Sequence, residues 1–149
     1  MERCLVDTNV FVRLLNKSDP HYQQARRAID KAIDEGYRLC IAPQIVAELW
    51  NVATRPQSAN GLGLSITQTA QEVFRLLDRF EALYGGDSVA AFTLWLALVA
   101  YYGVQGKQVH DARLVATMLA HKVQHLLTFN GQDFARYAHL ITILDAGTP

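Results

Sequence analysis

The chain has 149 residues and a mass of 16.7 kDa, enough for one compact core and too few for two ordinary domains. Half of it is hydrophobic and 19% is charged, a balance that excludes an extended disordered chain. Fourteen Lys and Arg against fourteen Asp and Glu leave no net charge, so bulk basicity cannot draw it to nucleic acid and only a local site could. Cys4 and Cys40 sit inside apolar runs (RCLV, LCIA) and read as reduced, buried thiols rather than a disulfide. The opening MERCLVDTN has no basic, apolar leader pattern. The apolar stretch from Val89 to Val104 counts 16 residues and contains Thr93 and Gly103, short of the about 20 that a membrane span needs. These features predict a cytoplasmic protein outside the membrane, a single domain over residues 1–149, with residues 89–104 as a buried core helix.

In chain order, Arg3 to Asp7 is a short apolar run ending in a polar Asp-Thr-Asn, as a buried strand leaves a sheet. Val10 to Leu15 follows as the first turns of a helix. Ala25, Ala28, Ile29, Ala32 and Ile33 recur at helical spacing between His21 and Glu35, and Gly36 stops that helix. Arg38 to Ala42 is a second strand; Pro43 ends it and suits the first position of a helix over Gln44 to Thr54. Arg55 to Gly63 is a surface loop. Ser65 with Gln68 forms a capping box for a helix to about Leu77. Phe80 to Tyr84 reads as a short strand, after which Gly85-Gly86-Asp87 turns and caps the apolar helix from Ser88 to about Tyr102. Asp111 opens another helix after a loop from Gln105 to His110. His125 to Phe129 and Leu140 to Leu144 are the last strands. Strands alternating with helices predict an α/β fold, a mostly parallel sheet of four or five strands covered on both faces.

In such sheets ligands gather at the carboxyl ends of the strands. Four acids fall there: Asp7 after the first strand, Glu48 one turn or so into the helix after the second, Asp111 at a helix start, and Asp133 four residues past Phe129. Taken singly, each has an ordinary structural explanation, an Asx-turn for Asp7 or a helix cap for Asp111. Taken together at one sheet edge they repel, and a hard cation such as Mg²⁺ or Mn²⁺, which prefers oxygen ligands, offsets that repulsion.

The segments LVDTNVFV, CIAPQIVAELWNV, VHDARLVATMLAHKV and LLTFNGQDF resemble the four signature blocks of PIN-domain ribonucleases, above all the VapC toxins of toxin–antitoxin pairs. The resemblance runs over nearly the whole chain in the right order, with separations of 41, 63 and 22 residues between the four acids. It implies a three-layer α/β/α PIN-like domain and a metal-dependent endoribonuclease. It also implies an RNA substrate, a small cognate antitoxin and a homodimer with apolar helix faces in contact. By that resemblance Asp7, Glu48, Asp111 and Asp133 match the family's catalytic, metal-binding quartet, Thr8 its small hydroxyl and Asn130 its polar residue before the last acid. The phosphodiester hydrolysis it implies would make Asp7 and Asp111 the metal ligands, with Asp133 completing or orienting the site, Glu48 holding a water or a second ion, and Thr8 and Asn9 steadying the shell by hydrogen bonds. Asn130 stands where some relatives carry an acid, and the middle separation is longer than in the shortest members.

Arg13 and Arg113, one or two turns from the acids, are the leading candidates to contact RNA phosphates, ahead of Lys17, Arg55 and Lys107. Trp50 and Trp95 lie on apolar helices and read as packing residues. His21, His110, His121, His125 and His139 show no zinc spacing. Two alternatives stay open. A phosphatase or phosphotransfer domain on a similar sheet would want Asp-x-Asp-x-Thr, but Asn9 holds the third position. A PIN-like module that binds RNA or a partner without cutting is the other.

Overall fold

A parallel sheet with helices on both faces requires short apolar runs, and the computed structural model, which describes residues 1–85 and 87–148, pairs five strands, the three central ones mostly buried and the two at the edges half-buried or exposed. The strands are β1 (Arg3–Val6), β2 (Arg38–Ile41), β3 (Glu81–Ala82), β4 (His125–Thr128) and β5 (Thr142–Asp145). They lie in the order β3-β2-β1-β4-β5, every pair parallel. Cys4 of the central strand lies opposite Leu39 on one side and His125 on the other. The chain runs outward through β2 and β3, then returns to lay β4 against β1. The strand order therefore reverses between β1 and β4, and crevices in doubly wound sheets open at such reversals.

Helices α1 (Thr8–Leu14), α2 (Tyr22–Asp34), α3 (Pro43–Thr54), α4 (Ile66–Arg79), α5 (Val89–Tyr102) and α6 (Val109–Ala120) flank the sheet, giving the expected three-layer α/β/α architecture. The core joins Leu5, Cys40, Ile41 and Leu126 of the strands to Phe11 of α1, Ile45 and Leu49 of α3, and Leu114 and Met118 of α6. Phe11 stands edge-on to Phe80 with ring centroids 5.2 Å apart. Cys4 and Cys40 are buried free thiols, and burial pushes both up to about 12.

Local sequence signals set most helix ends. Gly36 takes a φ of +93° just past α2, a backbone that only glycine adopts cheaply. Pro43 occupies the first turn of α3. The Ser65–Gln68 capping box forms in both directions, Gln68 N–H to Ser65 Oγ at 3.1 Å and Ser65 N–H to Gln68 Oε1 at 2.9 Å. It starts a helix that runs two residues beyond the expected Leu77.

Three expectations are corrected. Asp111 does not begin its helix: α6 starts at Val109 with Gln108 before it, and Asp111 lies in the first turn. A 3-10 turn at Gly106–Gln108 occupies the expected loop and brings the helix in early. Second, Ser88 caps α5, its Oγ accepting from Ala91 N–H at 3.2 Å; Asp87 instead pairs with Arg113, and Gly86 lies outside the described residues. Third, α5 is not a buried core helix. Only Ala91 and Leu98 of its fourteen residues are buried, while Val89, Phe92, Leu96 and Tyr101 are exposed. Apolar residues on every side of α5 cannot all face one sheet, so those turned from α6 meet solvent. Among the described residues, no helix is long and apolar enough to cross a membrane.

Replacing Ser65 with Ala should cost about 1 kcal/mol, the usual worth of an N-cap. Urea denaturation of the variant should show the loss as a lower midpoint with an unchanged slope.

Candidate functional site

At the end of β1 the chain turns directly into α1, and Asp7 is the hinge between them. It is only 8% exposed. Its carboxylate caps α1, Oδ1 accepting from Thr8 N–H at 2.8 Å. Oδ2 accepts the Thr128 hydroxyl at 2.8 Å and Asn9 Nδ2–H at 3.2 Å. Thr128 is fully buried at the end of β4. Its oxygen donates once and accepts twice, from Asn9 Nδ2–H at 3.1 Å and Asn130 N–H at 3.0 Å, which uses its whole hydroxyl capacity. Asn9 Oδ1 in turn accepts Phe129 N–H at 3.0 Å. The reversal between β1 and β4 is thereby stitched shut around one carboxylate.

Glu48 reaches the same place from α3. Its Oε2 accepts the Thr8 hydroxyl at 2.8 Å and its Oε1 accepts Gln44 Nε2–H at 2.8 Å. Gln44 and Glu48 are one helical turn apart and so share a face. The second Nε2–H of Gln44 donates to His110 O at 2.8 Å, the residue before Asp111. Asp133 sits in the first turn of the 3-10 segment Gly131–Tyr137. It lines an open depression of about 740 Å³ with Phe129, Asn130, Gln132 and Asp145.

The acids are also coupled electrostatically. Burial pushes the Asp7 carboxyl above its ordinary value, and Glu48 and Asp133 push it further, against the lowering effect of the Thr128 and Thr8 hydrogen bonds. Burial likewise raises Asp111 to about 6, reinforced by Asp7, Asp133 and Glu48 and opposed by His110. Asp111 also lies in the first turn of α6, where the helix dipole favours a negative charge; the neighbouring carboxylates and burial outweigh it. Among the described residues, however, no group of three or more His, Cys, Asp or Glu closes into a metal-holding cage. The acids are within electrostatic reach of one another across an open mouth.

The other candidates take up different roles. Asn130 joins the network through its N–H, not its side chain. The Arg13 guanidinium lies 3.7 Å from the centroid of the Phe129 ring, and its Nη1 is buried with no partner. Arg113 forms an ion pair with Asp87. Arg55 donates to Asn60 O within its own loop. Trp95 is half-buried and its indole N–H donates to Val109 O at 2.9 Å, consistent with packing. Sequence reasoning missed Thr128 and Gln44. A Thr ending an apolar strand at the reversal point was a usable signal for the first; an exposed-looking Gln on a helix gave none for the second.

An all-parallel sheet between helical layers, with carboxylates across its reversal point, is the α/β arrangement in which ligands gather at the strand C-termini. The PIN domain family model matches residues 4–140, and the chain belongs to that family. Among curated proteins no sequence gives a significant match. The fold is similar to that of VapBC-1 from nontypeable Haemophilus influenzae (TM-score 0.68, 18% identity, covering 98% of this chain and 99% of that one). It is also similar to a toxin–antitoxin complex from Klebsiella pneumoniae (0.65, 20% identity, 98% and 99%). A third likeness is to VapC20 of Mycobacterium tuberculosis, described as a Sarcin-Ricin loop cleaving toxin (0.61, 18% identity, 89% and 94%).

The raised Asp111 has a consequence for stability. From its ordinary value of 3.8 to its folded value of about 6, the folded chain holds a proton that the unfolded chain has released. Stability in metal-free buffer should therefore fall as pH rises through that window. Asp111→Asn removes this contribution, so in thermal melts with EDTA the variant should gain on the wild type between about pH 4 and pH 6 and hold its advantage above. A difference that is flat with pH would contradict the assignment.

Proposed function

We propose that this chain is a metal-dependent endoribonuclease, the toxin of a toxin–antitoxin pair, with its site at Asp7, Glu48, Asp111 and Asp133. The observation that carries the reading is the gathering of these acids at the sheet reversal, where burial first, and then the neighbouring carboxylates, raise Asp7 and Asp111 above the ordinary carboxylate range. Membership of the PIN family supports the nuclease class.

The donor set fits Mg²⁺ or Mn²⁺. Carboxylate oxygens are the ligands hard cations prefer, and Mg²⁺ is commonly held by one or two carboxylates while it keeps several waters. An open mouth without a closed protein cage is compatible with that mode and not with a structural zinc. When bound, the ion supplies an activated water at neutral pH and relieves charge on the phosphate. Asp7 and Asp111 are the residues that would hold it. Glu48, fixed at both oxygens, orients a water or takes its proton, and Asp133 completes the rim. Thr8, Asn9 and Thr128 hold the carboxylates in place, and Asn130 N–H anchors Thr128. Arg113, and Arg13 against Phe129, contribute the positive charge near the RNA backbone.

The partner reading rests on apolar surface. Val89, Phe92 and Leu96 recur at helical spacing on α5, and Ile66, Phe74 and Leu77 are exposed on α4. We assign surface of this kind to a second copy of the chain and to a small antitoxin. The buried free thiols suit a reducing cytoplasm.

Cleavage of single-stranded RNA should require Mg²⁺ or Mn²⁺ and stop with EDTA. Asp7→Asn, Glu48→Gln and Asp111→Asn should each lower kcat by at least about 100-fold, the upper end for groups that merely support a metal ligand, with circular dichroism unchanged. RNA binding without cleavage in the wild type would favour the non-cutting module instead. Expression of the wild type alone should arrest growth, and co-expression of a neighbouring small reading frame or Asp7→Asn should restore it. Equal growth in all cultures would sink the toxin half of the reading and leave the nuclease half standing.

A further inference from the structure

Among the described residues, Gln44 is the one side chain that ties the Glu48 carboxylate to the start of α6. Both of its N–H groups are spent, one on Glu48 Oε1 and one on His110 O, each at 2.8 Å. Because both partners are acceptors, the amide can face only one way, and its Oε1 is left buried with no partner. An unpaired buried acceptor costs on the order of 1–3 kcal/mol, so the orientation is held against a standing penalty. Glu48 is gripped from the other side by the Thr8 hydroxyl at 2.8 Å, and Thr8 directly follows Asp7. The result is a continuous chain of hydrogen bonds, Thr8–Glu48–Gln44–His110, with Asp7 beside one end and Asp111 beside the other.

We infer that Gln44 is a positioning residue: it sets the aim of Glu48 and the placement of the α6 first turn, and so the gap between Asp7 and Asp111. This rests on the nuclease reading above. The amide has the right chemistry for that task. It is neutral, so it donates to Glu48 without cancelling the charge a cation would need, and a single nitrogen supplies two donors. A lysine could also donate twice, but its charge would compete with the ion. A Ser or Thr at residue 44 could donate only once.

Gln44→Met keeps length and approximate volume while removing both donors, and three measurements on the full chain test the inference. In steady-state cleavage of a single-stranded RNA oligonucleotide, kcat should fall about 10- to 100-fold, as for other groups that orient metal ligands, with KM within about twofold of wild type, since uniform binding is untouched. Titration with Mn²⁺, followed by electron paramagnetic resonance, should show about 10-fold weaker binding. Hydrogen exchange should quicken at the amides of residues 113–116, whose carbonyl partners lie in the first turn of α6. A variant with wild-type kcat and Mn²⁺ affinity, alongside an inactive Asp111→Asn, would overturn the role of Gln44 and leave the nuclease reading intact. A change in KM alone, or a lowered melting temperature with kcat unchanged, would also overturn it. Should Asp111→Asn cleave like the wild type, the place of Asp111 in the site is what fails; should the wild type not cleave, the nuclease reading fails, and in either case exchange at residues 113–116 decides whether Gln44 tethers α6.

Discussion

Asp7 stands at the end of the central strand, almost wholly out of water, with no cation bonded to it among the described residues. Three donors surround it: the hydroxyl of Thr128, the backbone N–H of Thr8 and the side-chain amide of Asn9. Each is neutral. A lysine or arginine in any of these places would stabilise the carboxylate more strongly, and it would also fill the position where a positive ligand could act. The neutral donors hold the carboxylate in place while leaving its charge uncompensated. The rest of the site follows from that choice, because every acid brought near Asp7 adds repulsion that the protein does not itself neutralise.

The architecture makes such an arrangement tolerable. Asp7, Thr128, Glu48 and Asp111 all stand at the same edge of a sheet whose central strands are mostly buried, and the packing of Phe11, Ile45, Leu49, Leu114 and Met118 beneath them does not depend on the charges above. Stability is stored in the apolar layers and strain is confined to the rim. This separation explains why changing a carboxylate to its amide there can be expected to relax the fold rather than break it, the usual sign of stability given up to function.

Much of this was legible in the sequence because local physics decides it. Pro43 can start a helix and cannot sit in a central strand. Gly36 marks a backbone that other residues resist. Ser65 and Gln68 are close enough in the chain to cap one another whatever surrounds them. The four acids could be placed at one edge because each lies just past a strand or within the opening turns of a helix in a parallel fold. What escaped depends on distant partners. Thr128 is one threonine among many until β4 is laid beside β1, and Gln44 acquires its role only when α6 arrives above α3. Asp111 looked like a helix cap because Gly106–Gln108 gave no local hint of the extra turn that starts α6 early. The apolar run at 89–104 was read by its composition, and composition cannot distinguish a helix enclosed by its own chain from one that leaves a side bare.

The bond from Thr128 to Asp7 spans 121 residues, and this gives the protein a built-in order of events during synthesis. Asp7 leaves the ribosome 121 residues ahead of the hydroxyl that holds it. Contacts this far apart in sequence are the slowest to form, and here β4 must be docked before the central carboxylate has its full set of donors. A nascent or truncated chain ending before residue 128 can carry Asp7, Glu48 and Asp111 and still lack the completed cluster. For a protein proposed to attack RNA, that delay keeps the site incomplete until β4 has docked against β1.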